Sequence, residues 1–437
     1  MPFTFTNSER LYATGQSLIP AGVNSNTRSR APHPLYFREA NGAYVRDADN
    51  NHFLDILMGN GAILLGHNHP EVQDAVKAVL EKGLTTGVES EETIALAEKF
   101  LSIVKTQDRV RFCNSGTEAA LHALRLARFA TGRTRLAKAE GSYHGWSDDV
   151  FVSVWSRLSD AGTIDYIQPL PGTPGQLKST VDQVVVLPFN DIDRSVAAIE
   201  RHAKDLAAVI LEPVLIDIGF IPATKEYLQA LRDVCDKHGI VLIFDELLTG
   251  FNLAPGGVQE IEGVVPDLAM YGKALGNGYP IAAIAGKEHL MEMLSPGKGP
   301  VFVGTFNGHA LSVGAAHAVL SLLEDGSVQK TVSARLQYLK STFNADADKI
   351  GIEARMEGGG SHFQWYFTKD KIHDYRTATT TNAVAYKAFV QSIFEQGVLF
   401  LPNPLSHHAI SLAHDGGVIE QLTEIFRNGL QTAAKAI

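Results

Sequence analysis

The chain has 437 residues, 45% of them hydrophobic and 20% charged, and a formal net charge of -10. Length and composition suit one large and one smaller domain, each with its own core, and exclude a disordered or low-complexity protein. The acidic balance argues against nonspecific attraction to nucleic acid or an anionic membrane.

The opening stretch, MPFTFTNSERLYATGQSLIP, lacks a basic head, an apolar run and a small-residue cleavage site, so a cytoplasmic protein is expected. Residues 7–19 predict a short helix, with Asn7 or Ser8 as its cap and Pro20 as its stop. GVNSNTRSR follows as an irregular loop carrying Arg28 and Arg30. Solvated arginines are the plain reading; a guanidinium fork for a substrate carboxylate is the functional one. Residues 36–57 alternate between turn signals at Asn41-Gly42 and Asp49-Asn50-Asn51, predicting an antiparallel meander. His67 and His69 form an i, i+2 pair without a carboxylate cluster, and no metal site is expected. Cys113 and Cys235 sit in apolar patterns without CxxC context and are expected to be reduced core residues.

Helical patterns cover 70–82 and 91–104. RVRFCNSGTEAALHALRLARFATG then reads as strand, tight turn and helix, with Ser115, Gly116 and Thr117 at the helix start. Free N–H groups there can cradle a phosphate; an ordinary cap by Ser115 or Thr117, with Glu118 in the first turn, explains the same residues. RLAKAEGSYHGW opens a second unit and delivers Tyr143 to a strand end, where an aromatic ring can cover a flat heterocycle or simply wedge the core. Residues 150–183 are rich in Gly, Pro and Ser and predict a long loop over the site.

Three short apolar runs organise the middle of the chain. AVILEPVLIDIGF ends its strand at Glu212, IVLIFDELLTGFN at Asp245, and DLAMYGKALGNG carries Lys273 into a Gly-rich turn. Such runs suit strands buried on both faces of a parallel sheet, whose carboxyl ends are where open α/β sheets bind ligands. An amine to meet an aldehyde and a carboxylate to keep a pyridine nitrogen protonated are what pyridoxal phosphate asks of a protein. A structural ion pair is the alternative. Thr305 falls in a turn before an Ala-rich helix, and beyond 311 mixed helices and strands indicate a smaller α+β domain. The expected division is therefore 1–65, an N-terminal helix and meander belonging with the small domain, 66–310, the large domain, and 311–437.

In this order and spacing, GVNSNTR, LLGHNHPEV, RFCNSGTEAALHALRLAR, GSYHGW, LEPV, IFDELLTGF, PDLAMYGKALGNGYP, GTFNGHAL and SLAHD resemble the class III aminotransferases of pyridoxal-phosphate fold type I. Within that class the chain is most similar to the glutamate-1-semialdehyde aminomutase branch. The resemblance implies an α/β fold: a mostly parallel seven-stranded sheet flanked by helices, plus a small α+β domain. It also implies pyridoxal 5'-phosphate as cofactor. By the same resemblance Lys273 links covalently to the cofactor aldehyde, Asp245 bonds the pyridinium nitrogen, Leu247 and Tyr143 pack on opposite ring faces, and Ser115, Gly116 and Thr117 hold the phosphate. Glu212 belongs to the same shell. Thr305 reaches the phosphate of the other subunit of a homodimer, and Ser25 and Arg28 match the substrate-carboxylate positions of GVNSPVR.

The substrate positions depart from the aminomutase pattern. EPVxGNMG is EPVLIDIG here, with Asp217 in place of an asparagine; FEAGF becomes LSHHA, with Ser406 in place of a glutamate; and a tryptophan before GHAHP is lost. The expected function is transfer of an amino group between a carboxylate-bearing amino acid, a β-amino acid or a D-configured or aryl one among them, and a keto acid. An aminomutase, a racemase or epimerase, and a noncatalytic cofactor-binding regulator stand as alternatives.

Overall fold

The computed structural model describes residues 3–85 and 87–437. Two compact units divide the chain: one takes residues 71–330 with 370–380, the other 1–70, 331–369 and 381–437. The expected boundary at 311 thus moves to 330, because the helix Ala310–Leu323 packs on Glu91–Ile103 of the large unit.

The large unit is built on a seven-stranded sheet. Its strands in chain order are β1 (Arg109–Cys113), β2 (Arg135–Ala139), β3 (Val184–Leu187), β4 (Leu206–Leu211), β5 (Val241–Asp245), β6 (Leu268–Tyr271) and β7 (Ala282–Gly286). They lie in the order β1-β7-β6-β5-β4-β2-β3, with β7 antiparallel to both neighbours and every other pairing parallel. LAAVIL of β4 and VLIFD of β5 are buried along their whole length, which accounts for continuously apolar strands in place of alternating ones. Helix α1 (Gly116–Thr131) turns Ala119, Ala120, Ala123 and Ala127 inward, and these small residues bring it close to the strands. Cys113 and Cys235 are buried free thiols whose pKa burial pushes up to about 12.

Register decides what meets at the carboxyl edge. Phe244 lies opposite Leu211 and Asp245 opposite Met270, so Glu212, Asp245 and the chain leading to Lys273 leave the sheet side by side.

In the other unit the expected meander is present as Phe37–Asn41, Tyr44–Asp47 and His52–Asp55, joined by a parallel fourth strand, Val398–Leu399. The first helix spans Thr6–Leu18, and neither Asn7 nor Ser8 caps it. Instead the Asp49 carboxylate accepts from the N–H groups of Asn7 at 2.6 Å and Ser8 at 2.8 Å, a cap supplied across the fold. His67 hydrogen-bonds Asp55 at 2.8 Å. Phe343, Phe363, Trp365, Phe389 and Phe426 pack as an aromatic core.

Candidate active site

The carboxyl ends of the strands surround a cavity of about 280 Å³. Ser115, Gly116 and Thr117 reach it from the start of α1, Tyr143 from the turn after β2, Glu212 and Asp217 after β4, Asp245 and Leu247 from the end of β5, and Lys273 beyond β6. Ser115 is the cap of α1, its hydroxyl accepting from the Glu118 N–H at 3.3 Å, while Glu118 folds back to accept from the Asn114 N–H at 2.8 Å. The capping reading and the anion reading are therefore compatible: the cap organises a helix end whose first N–H groups line the cavity. A Cβ on Gly116 would stand 2.6 Å from Leu247 Cδ1, and one on Gly272 would strike Leu247 Cδ2, so both glycines make room for that side chain. Lys273 itself has φ 47°, in the left-handed region, a conformation costing about 1–2 kcal/mol.

Each carboxylate has a different set of partners. Glu212 accepts from the Tyr143 N–H at 2.8 Å and the Ile216 N–H at 3.2 Å; burial, reinforced by Asp245 and Asp217, raises its pKa to about 8. Asp245 is held by His144 Nδ1 at 2.8 Å and by the Leu247 N–H at 3.1 Å. Burial keeps His144 neutral by lowering its pKa, so Nδ1 is assigned the proton and donates it to Asp245. Asp217 accepts from Trp155, and its Oδ2 has no hydrogen-bond partner. Burial lowers the pKa of Lys273, against the pull of Asp217, Asp245 and Glu212.

Two residues at this edge, Lys138 and Trp155, were not singled out from sequence, and a third, His144, was expected beside Tyr143 at the strand end but without a partner. Lys138 is sunk inside the sheet, donating to the carbonyls of Ser142 at 2.8 Å and Val152 at 2.5 Å, and burial brings its pKa down to about 7. It thereby fastens the turn that carries Tyr143 and His144. Trp155, from the long loop, stacks parallel to Tyr143 at 5.9 Å. His144 stands in GSYHGW, yet nothing local marks it as the partner of Asp245. A lysine inside an apolar strand pattern was the one available signal; Trp155 had none.

The remaining expected residues lie elsewhere. Thr305 is exposed and outside the cavity lining. Ser25 and Arg28 belong to the other compact unit, where Arg28 ends a short 3-10 turn, Asn26–Arg28, and Ser25 Oγ lies 3.0 Å from Thr27 Oγ1. Arg30 is not a solvated twin of Arg28: its guanidinium lies 3.8 Å over the Phe394 ring, and burial lowers its pKa to about 10. Ser406 is in that unit too, its carbonyl accepting from Gln364.

Residues 25–415 match the model of the family described as aminotransferase class-III, and the chain belongs to that family. It is 37% identical over 417 residues to a glutamate-1-semialdehyde 2,1-aminomutase of Methanothermobacter thermautotrophicus, covering 95% of this chain and 97% of that one. An omega-transaminase from Sphaerobacter thermophilus has a similar structure, with TM-score 0.93 and 32% identity over 98% of this chain and 97% of that one. A beta-phenylalanine aminotransferase from Variovorax paradoxus gives TM-score 0.85 and 26% identity over 97% and 93%. The chain is thus a pyridoxal-phosphate-dependent enzyme of fold type I. The cavity suits that cofactor: a helix N-terminus for a phosphate, an amine and a carboxylate at adjoining strand ends, and an apolar wall at Leu247, seated in the room that two glycines leave. Among the described residues no helix is long and apolar enough to cross a membrane.

Proposed function

We propose that this enzyme transfers an amino group from a carboxylate-bearing amino acid, of the β-amino or D-/aryl type, to a keto acid by a ping-pong mechanism. Convergence of Lys273 and Asp245 on one cavity with the start of α1 carries the reading. Bound pyridoxal phosphate would supply an aldehyde that captures amines and a ring that withdraws electrons from the amine-bearing carbon. Lys273 would hold the aldehyde between turnovers and, as a free amine, would move the proton at the substrate's amine-bearing carbon. Asp245, oriented by His144, would hold the ring nitrogen and keep it protonated. Ser115, Gly116 and Thr117 would bind the phosphate and Tyr143 and Leu247 would cover the ring, while Glu212 holds the Tyr143 turn in place. In a homodimer Thr305 completes the phosphate site of the partner subunit, and Ser25 with Arg28 receives the substrate carboxylate.

Asp217 and Ser406, where the aminomutase pattern has asparagine and glutamate, favour intermolecular transfer over rearrangement. The 37% identity to an enzyme named as an aminomutase supports the second reading. A half-reaction screen separates them: loss of the cofactor's visible absorbance on adding β- or D-amino acids supports the transaminase, and efficient formation of 5-aminolevulinate from glutamate-1-semialdehyde overturns it.

A further inference from the structure

Of the three carboxyl groups in the cavity wall, two are already satisfied. Glu212 accepts from two backbone N–H groups, and Asp245 from an imidazole and a backbone N–H. Asp217 alone has an oxygen, Oδ2, that is sealed from bulk solvent and has no partner. An unsatisfied buried carboxylate costs on the order of 1–3 kcal/mol or more, so its retention in a binding cavity points to a ligand donor.

Its position is not an accident of a loose loop. Asp217 sits in the turn of a tight hairpin, Val214–Leu215 against Ile221–Pro222, and Trp155 hydrogen-bonds its carboxylate. The charged and titratable groups facing it are Lys273, Lys138, Asp245, Glu212 and Tyr143. Of these, Lys273 is the nitrogen that an incoming amine must replace, so a substrate nitrogen in attacking position lies in the same field of Asp217.

Resting on the transaminase reading, we propose that Asp217 takes the proton of the incoming substrate ammonium. The N–H bond breaks, its electron pair stays on nitrogen, an O–H bond forms on the Asp217 carboxylate, and nothing is oxidised or reduced. An asparagine at this position could hydrogen-bond the amine but could not take its proton. Burial raises the pKa of Asp217, which makes it a better acceptor than an exposed aspartate. The benefit is greatest for basic amines. Free amino-acid and alkyl amines have pKa values of about 9–10 or above, so roughly one molecule in a hundred to one in a thousand is neutral at pH 7.

Single-turnover reaction of the holoenzyme with 3-amino-3-phenylpropanoate and with 1-phenylethylamine, followed by cofactor absorbance from pH 7 to pH 9.5, tests this. The unaltered enzyme should change by less than about threefold over that range, while Asp217→Asn should start slow, gain about tenfold per pH unit up to about pH 8.5, and level off as the amine itself becomes neutral. Asp217→Glu should restore the flat profile. Difference infrared spectra on amine addition should show a protonated-carboxyl band that Asp217→Asn lacks. If Asp217→Asn does not fold with bound cofactor, Asp217→Ser serves and must show the same slope. Parallel pH profiles for the enzyme and its carboxylate-free variant, or no carboxyl band, overturn the assignment while leaving the transaminase reading intact. No reaction of the unaltered enzyme with either amine at any pH overturns the assignment, and failure of D-amino acids as well to bleach the cofactor absorbance overturns the transaminase reading.

Discussion

The Glu212→Gln variant is expected to be less stable than the parent protein at pH 5 and more stable at pH 7.5. Glu212 has an ordinary pKa of 4.5 and a folded value of about 8. Between those values the folded chain holds a proton that the unfolded chain has released, so stability falls as pH rises, by about 1.4 kcal/mol per unit. By pH 7.5 the parent has lost about 4 kcal/mol relative to pH 4.5. Glutamine removes that slope and introduces a constant penalty. Its single carbonyl can accept from the N–H of Tyr143 or that of Ile216, not both, and its NH2 group faces the other donor; one unsatisfied buried donor costs about 1–3 kcal/mol. The two stability curves should therefore cross near pH 5.5–6.5, about one to two units above the ordinary carboxylate value. Lys138, whose depressed pKa acts with the opposite sign from about 7 upward, is itself held up by Glu212, so the slope of the difference is read below pH 7. Thermal and urea midpoints of both proteins, measured at half-unit steps from pH 5 to pH 8, provide the comparison. A difference that stays constant with pH would refute a proton held on Glu212.

His144→Leu leaves Asp245 Oδ2 without its imidazole partner and should lower kcat at least about tenfold with little change in KM for the donor; His144→Asn, which keeps a donor, should recover part of it in steady-state assays. Arg376 makes two bonds, 2.8 Å and 3.1 Å, to Glu140, whose side chain is almost wholly buried. Arg376→Ala strands that charge and should destabilise the large unit by about 3–5 kcal/mol in urea unfolding, whereas Arg376→Met combined with Glu140→Leu should restore most of the loss.

The parts of the site that could be read in advance were those encoded locally. Glu212, Asp245 and Lys273 each end a short apolar run, and Ser115-Gly116-Thr117 stand directly before a helical pattern, so a few neighbouring residues suffice to place them at a sheet edge. Partners set by register were invisible. His144 and Asp245 are separated by 101 residues, and only the lateral order of β2, β4 and β5 brings them together. Asp49 capping a helix that starts at Thr6 is the same kind of event, and it displaced the local candidates Asn7 and Ser8. Lys138 misleads by type: a lysine in a strand reads as an exposed edge position, but β2 is paired on both sides and the ammonium is satisfied by carbonyls. Trp155 lies in a segment with no period, and its stacking on Tyr143 had no local signal.

The same partner sets constrain Lys273. An amine that must act as a base has to be neutral, and burial favours that; three nearby carboxyl groups oppose it. Glu212 retains its proton up to about pH 8 and so contributes little negative charge at neutrality. Asp245 is committed to His144 and the Leu247 N–H. The charge left to hold a proton on Lys273 is that of Asp217, the largest of the three opposing influences. When Asp217 accepts a proton from the substrate, Lys273 loses its main negative neighbour at the moment it is displaced, and its amine becomes easier to deprotonate. In the cofactor-free protein, Asp217→Asn should accordingly lower the pH at which Lys273 reacts with an acetylating reagent by about one unit or more, measured by peptide mass spectrometry. An unchanged labelling profile would mean that Asp245 or Glu212, and not Asp217, sets the protonation of that lysine.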